Sequence, residues 1–113
     1  LRACDLTALA STAESLSNAL IESLASGVPA VATDVGGNRE LVRTGETGAL
    51  VPAGDVEAMT EAFLGMAGDD DQRLAAGERS REEALRRFSI PAVLGQWDRY
   101  FAEQARLAWE VAR

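Results

Sequence analysis

The sequence predicts an α/β fold: three parallel strands with flanking helices, closed by a long C-terminal helix. Three observations carry that prediction. Short apolar runs of strand length are separated by stretches of helical length. The strand cores are nearly continuous in apolar residues, as expected where helices cover both faces of a parallel sheet. Helix-capping residues and glycine stops fall at the junctions.

Asp5 to Ala10 reads as a buried strand ending at Ser11-Thr12. Ser17 can cap a helix from about Asn18 to Ser26, and Gly27 supplies its C-terminal stop. Pro29 to Thr33 is a second buried strand, with proline at its start, where no ladder bond is lost. Asp34 to Gly37 makes a turn, and Asn38 to Val42 a short helical stretch. After the turn Thr44 to Gly48, Ala49 to Val51 forms a third strand that stops at Pro52. Asp55 caps a helix with Val56, Met59, Phe63 and Met66 on its apolar face. Asp69, Asp70 and Asp71 precede another helix, favouring the positive end of its dipole, and that helix should end near Phe88. Ser89 caps the terminal helix, which has Val93, Leu94, Trp97, Phe101, Leu107 and Val111 on or near one side. The strands should neighbour one another in chain order, all parallel, as half of a doubly wound sheet.

With 113 residues the chain has room for one core, and 47% apolar residues set it apart from disordered segments. No apolar run approaches the roughly 20 residues that span a bilayer. The start has no Met, no basic head and no cleavage site of a signal peptide, and it lies close to a strand. A three-strand sheet also leaves edges to be covered. Both features lead us to expect a fragment of a longer chain.

Cys4 is the only cysteine, so no internal disulfide forms, and it is expected to be a small buried residue. Histidine is absent, which excludes a Ser-His-Asp triad within the chain. Net charge is −7 with no lysine. Leu1 to Ala67 holds nine acids against three arginines, and Gly68 to Arg113 nine against eight. Neither half has the basic excess of a nucleic-acid or anionic-membrane surface.

The chemistry concentrates between Ser11 and Val42. In a doubly wound sheet, ligands bind beyond the carboxyl ends of the strands. The loop Ser11 to Ser17 lies at such an end, and the helix after it offers unpaired amides and a positive dipole to a diphosphate. Glu14 and Glu22 flank that anion site. Facing phosphates they would repel them; facing hydroxyls, each ionised carboxylate can accept from two neighbouring OH groups. Their spacing at helical rise is about 12 Å, which suits a sugar at one end of a diphosphate and a ribose at the other. Gly36-Gly37 serves either a tight turn or ligand contact. Asp34 and Glu40 read as turn former and as surface or capping residue; Trp97, Tyr100 and Phe101 read as core or interdomain packing.

The Glu14-x7-Glu22 pair, set in S-x-x-E-S-L-S-N-x-L-I-E-S-L-A-S-G-V-P-A-V-A-T-D-V-G-G-N-x-E-L-V, resembles the signature of the retaining GT-B glycosyltransferases of family 4. Thr44-Gly45-x-Thr47-Gly48-x-Leu50-Val51, Gly54-Asp55 and Arg87-Phe88-Ser89 are similar to the same family's C-terminal half, so the resemblance covers nearly the whole chain. It implies a partial nucleotide-sugar-binding domain over residues 1–113, the C-terminal half of a Rossmann-like GT-B domain, with the N-terminal acceptor domain absent. It implies that Glu14 meets the donor sugar's hydroxyls in the catalytic site, that Ser15, Leu16 and Ser17 lie along that sugar, that Asn18 and Ala19 meet the diphosphate, and that Glu22 holds the ribose. Ser15 and Ser17 stand where the family often has glycine, which disfavours a loop with positive φ. Arg39 and Arg43 do not match the basic pair that the family places earlier in the domain.

The implied reaction is transfer from a nucleoside diphosphate sugar with retention of configuration, with no metal and no other cofactor. It would be cytoplasmic, and any peripheral membrane association would run through the absent domain. The polypeptide alone is expected to be inactive. Two other readings stay open: a nucleotide-sugar epimerase or phosphorylase on the same fold, and a non-catalytic interaction or structural domain descended from a transferase.

Overall fold

The computed structural model describes residues 3–113. Strands β1 (Thr7–Leu9), β2 (Ala30–Thr33) and β3 (Gly48–Val51) form one sheet in the order β1-β2-β3. Both pairings are parallel, with Thr7 opposite Ala30 and Ala30 opposite Gly48. The expected order and direction of the strands are therefore met. Helices α1 (Asn18–Ala25), α2 (Asn38–Leu41), α3 (Val56–Ala67), α4 (Asp70–Phe88) and α5 (Ile90–Ala112) complete the chain.

The local signals act as their chemistry dictates. Ser17 accepts from the Leu20 amide, Asp55 from Ala58, Asp69 from Gln72 and Ser89 from Ala92, each satisfying a helix-end donor. Gly27, with φ of 77°, ends α1 in the left-handed region. Element ends differ from expectation by a residue or so: Ser26 and Val42 are caps, Pro29 precedes β2, and Gly48 opens β3.

β2 is the centre of the molecule, and all its residues are buried. Ala30 and Ala32 pack against Leu20 and Leu24 of α1, Leu41 and Val42, and Ala84 of α4. Val31 faces the other way, onto Val51 and Met66, with Met59 and Phe63 of α3 closing that layer. Burying a leucine such as Leu20 contributes about 1.5–3 kcal/mol, so the α1 layer does much to fix where the helix begins.

Two expectations fail. β1 is short and only partly buried: Thr7 and Leu9 face the α1 layer, while Ala8 between them points to the opposite face of the sheet and is exposed. Cys4 is exposed, since it precedes the sheet and has no strand neighbour. Of the two alternatives for the terminal-helix aromatics, the core is excluded: α5 has no buried residue, and Trp97, Tyr100 and Phe101 pack on one another at its surface. Among the described residues, no helix is long and apolar enough to cross a membrane.

Candidate functional site

The carboxyl ends of all three strands open on one edge of the sheet. A cleft of about 340 Å³ lies there, lined by Ala10, Thr12, Thr33, Pro52, Met59 and Thr60 among others. From the end of β1 the chain crosses this edge as the loop Ala10 to Ser17 and enters α1.

Two anchors place α1. Leu20 and Leu24 pack into the sheet, and the Ser23 hydroxyl, fully buried, donates to the Val28 carbonyl at 3.0 Å and lies 2.6 Å from the Thr7 hydroxyl. With Leu20, Ser23 and Leu24 turned inward, Asn18, Ala19 and Glu22 share the exposed side. Glu22 lies four residues after Asn18, one helical turn along that side.

The first turn of α1 leaves amides free. Its cap uses the Leu20 N–H, bound by Ser17 Oγ at 3.3 Å, while the Ile21 N–H goes to the Ser17 carbonyl at 3.1 Å. The amides of Asn18 and Ala19 have no acceptor among the described residues. No acid stands in the first turn of α1, as in α5, whereas α3 has Glu57 there and α4 has Asp70 and Asp71. The positive end of the α1 dipole is thus left uncompensated, which suits an anion.

Glu14 is held differently. It is half-buried in the loop, and one carboxylate oxygen, Oε1, accepts from Ser11 Oγ at 2.8 Å. Ser11 is itself fixed, because its carbonyl accepts from the buried Thr33 hydroxyl at 2.6 Å. The Gly37 amide donates to the Ser15 carbonyl at 2.8 Å. Ser15 and Leu16 are exposed, and Ser17 is buried as the cap. No non-glycine residue among those described has positive φ, so serine at 15 and 17 costs the loop nothing in backbone strain.

The structure brings Glu14, Ser15, Leu16, Ser17, Asn18, Ala19 and Glu22 onto one loop and helix start. Sequence reasoning missed Ser11, Thr33 and Asn38. Asn38 is fully buried and donates through Nδ2 to the Thr33 carbonyl at 3.0 Å, bracing the turn after β2. A polar residue directly after Gly36-Gly37 was the available signal. Arg39 and Arg43 are committed elsewhere: Arg39 to Asp34 at 3.0 Å, and Arg43 to Glu83 at 3.3 Å and Glu46 at 3.7 Å. The hydrogen bond from Arg86 holds the Glu83 carboxyl below its ordinary range, helped by the charges of Arg86, Arg43 and Arg87 and opposed by burial.

This combination, a parallel sheet with an amide-bearing helix start at its carboxyl edge, is the C-terminal half of a Rossmann-like GT-B domain. It superposes with a TM-score of 0.85 on the Anabaena Alr3699/HepE chain solved in complex with UDP, at 26% identity, covering 90% of this chain and 28% of that one. The family model for glycosyl transferases group 1 matches residues 1–69, and the chain belongs to that family. A stretch 42% identical occurs in the Streptomyces coelicolor protein named exopolysaccharide phosphotransferase SCO2592, covering 74% of this chain and 9% of that protein. The N-acetyl-alpha-D-glucosaminyl L-malate synthase of Bacillus anthracis is 31% identical over 90% of this chain and 27% of its own length. The chain thus spans about a quarter or less of these two relatives.

Proposed function

We propose that residues 1–113 are the distal part of the donor-binding domain of a retaining glycosyltransferase, whose acceptor domain lies elsewhere in a longer polypeptide. The observation that carries this reading is the pair of free amides at Asn18 and Ala19, flanked by Glu14 and Glu22. The solved HepE complexes with UDP and with UDP-glucose support a nucleoside diphosphate sugar as the donor.

In this reading the amides and the α1 dipole meet the diphosphate and stabilise the negative charge that develops on it as the sugar departs. No metal is needed for that step. Glu22 accepts from the ribose hydroxyls. Glu14 keeps Oε2 for the donor sugar, since Ser11 engages Oε1, and it fixes the sugar's orientation toward the acceptor. Ser15, Leu16 and Ser17 line the sugar's path.

Asn18→Pro tests the amide directly. Asn18 is the first residue of α1, and Ser17 before it is extended, with φ −79° and ψ 111°. Proline fits there without breaking the helix, and it removes one N–H. In the full-length enzyme, affinity for the nucleoside diphosphate should fall about tenfold or more, the worth of a hydrogen bond to a charged group. Asn18→Ala should bind normally, both variants should melt as the parent does, and transfer should survive EDTA. Undiminished nucleotide affinity in Asn18→Pro would remove the diphosphate from this helix.

A further inference from the structure

We propose that the β2–α2 turn, acting through Ser11, Gly36 and Gly37, is the positioning device for Glu14. The inference rests on the donor-sugar reading of Glu14 and adds residues to which that reading gives no role. Three contacts from the segment Thr33 to Gly37 converge on the Glu14 loop. The Thr33 hydroxyl holds the Ser11 carbonyl, and the Ser11 hydroxyl holds Glu14 Oε1. The Gly37 amide holds the carbonyl of Ser15, the residue after Glu14.

The third contact is a close approach. Gly36, with φ of 49°, lies so near the backbone of Glu14 that a Cβ there would overlap the Glu14 carbonyl oxygen. A Cβ on Gly37 would overlap the Ser15 carbonyl oxygen. Any side chain at either position would push the loop away, so the two glycines set how closely the loop can seat on the turn. The turn is itself fixed, by Asn38 Nδ2 to the Thr33 carbonyl and by the Asp34 amide to the Val51 carbonyl at 2.7 Å. Glu14 is therefore bracketed on both sides of the chain: at Ser11, three residues before it, and at Ser15, one after.

The arrangement has a chemical consequence. A carboxylate on a surface loop samples several rotamers, and hydrogen bonds to sugar hydroxyls tolerate little misplacement. Engaging Oε1 through Ser11 selects one rotamer and leaves Oε2 for the ligand. Gly36 and Gly37 never touch the sugar in this scheme, and neither does Ser11. Their effect passes through Glu14.

A double-mutant cycle in the full-length enzyme, with UDP-glucose, GDP-mannose and ADP-glucose screened to find the working donor, separates positioning from a general structural role. Ser11→Ala should lower kcat about tenfold, since misplacing a group that orients the reacting centre by about 1 Å can cost 100-fold. Affinity for the free nucleoside diphosphate should not change. Ser11→Thr, which keeps the hydroxyl, should restore kcat. In a Glu14→Ala background, Ser11→Ala should have no further effect. Gly37→Ala should show the same pattern with a larger loss; if it fails to fold, the Ser11 cycle stands alone. Additive losses, or a normal kcat in Ser11→Ala beside a slow Glu14→Ala, would overturn the positioning role alone. An unimpaired Glu14→Ala enzyme would instead overturn the site reading, and this proposal with it.

Discussion

Glu14 and Glu22 are eight positions apart and are proposed to do the same kind of chemistry, yet the molecule places them by different means. Glu22 stands exposed on α1 with no side-chain partner among the described residues, so helix geometry alone sets its position. Glu14 lies half-buried in a loop, and its place depends on Ser11, Thr33 and a glycine turn contributed by another part of the chain. A helix presents a carboxylate at a fixed distance from its own amides. A loop can do so only when tertiary contacts replace the missing repeat. The group proposed to orient the reacting sugar is the one that receives this extra support, and the group proposed to hold the ribose manages without it.

That contrast can be broken at the brace. Asn38→Ala removes one of two donors to the Thr33 carbonyl, which keeps the Val35 amide at 2.9 Å, and it also removes a buried Oδ1 that has no partner, so it should destabilise the fold by only about 0.5–1.5 kcal/mol, the net worth of one hydrogen bond. Thermal or denaturant unfolding measures that loss. In protein that remains folded, discrimination of the nucleotide sugar from the bare nucleotide should weaken, while nucleotide affinity holds. Equal loss of both would mean that the turn supports α1 as much as the Glu14 loop.

A smaller effect comes from a charge remote from both carboxylates. Glu83 has its folded pKa below the ordinary carboxylate value, so it contributes stability that is fully present above that value and is lost as pH falls through the lowered one. Glu83→Gln should flatten the acid limb of the melting-temperature profile by about 1 kcal/mol or less, given how little such pairs usually contribute. Ligand binding should be untouched. A change in nucleotide affinity in this variant would extend the site beyond the loop and α1.

Much of this was legible from the residues. Caps at Ser17, Asp55 and Ser89, the stop at Gly27 and the apolar runs gave elements whose ends differ by a residue or so, because each depends on local chemistry. The residues proposed for the site share one loop and helix start, as their contiguity from Glu14 to Glu22 requires. Ser11, Thr33 and Asn38 were not legible, since a hydroxyl or amide becomes a brace only once two strand ends lie side by side. Burial was the least legible property. Cys4 and Ala8 are apolar by type, but their exposure depends on what packs beside them, which their own sequence does not encode.

The most direct test compares Glu14→Ala and Glu22→Ala in the full-length enzyme against two ligands. Calorimetric titration with the best-bound of UDP, GDP and ADP, and then with the matching nucleotide sugar, separates ribose from sugar contacts. Glu22→Ala should weaken both ligands alike, by about tenfold for each charged hydrogen bond lost without replacement by water. Glu14→Ala should leave the bare nucleotide unchanged, erase the extra affinity conferred by the sugar, and lower turnover more than Glu22→Ala does. Two variants that bind both ligands as the parent does, at parental turnover, would show that the glutamate pair is a solvated surface feature and that the donor binds elsewhere.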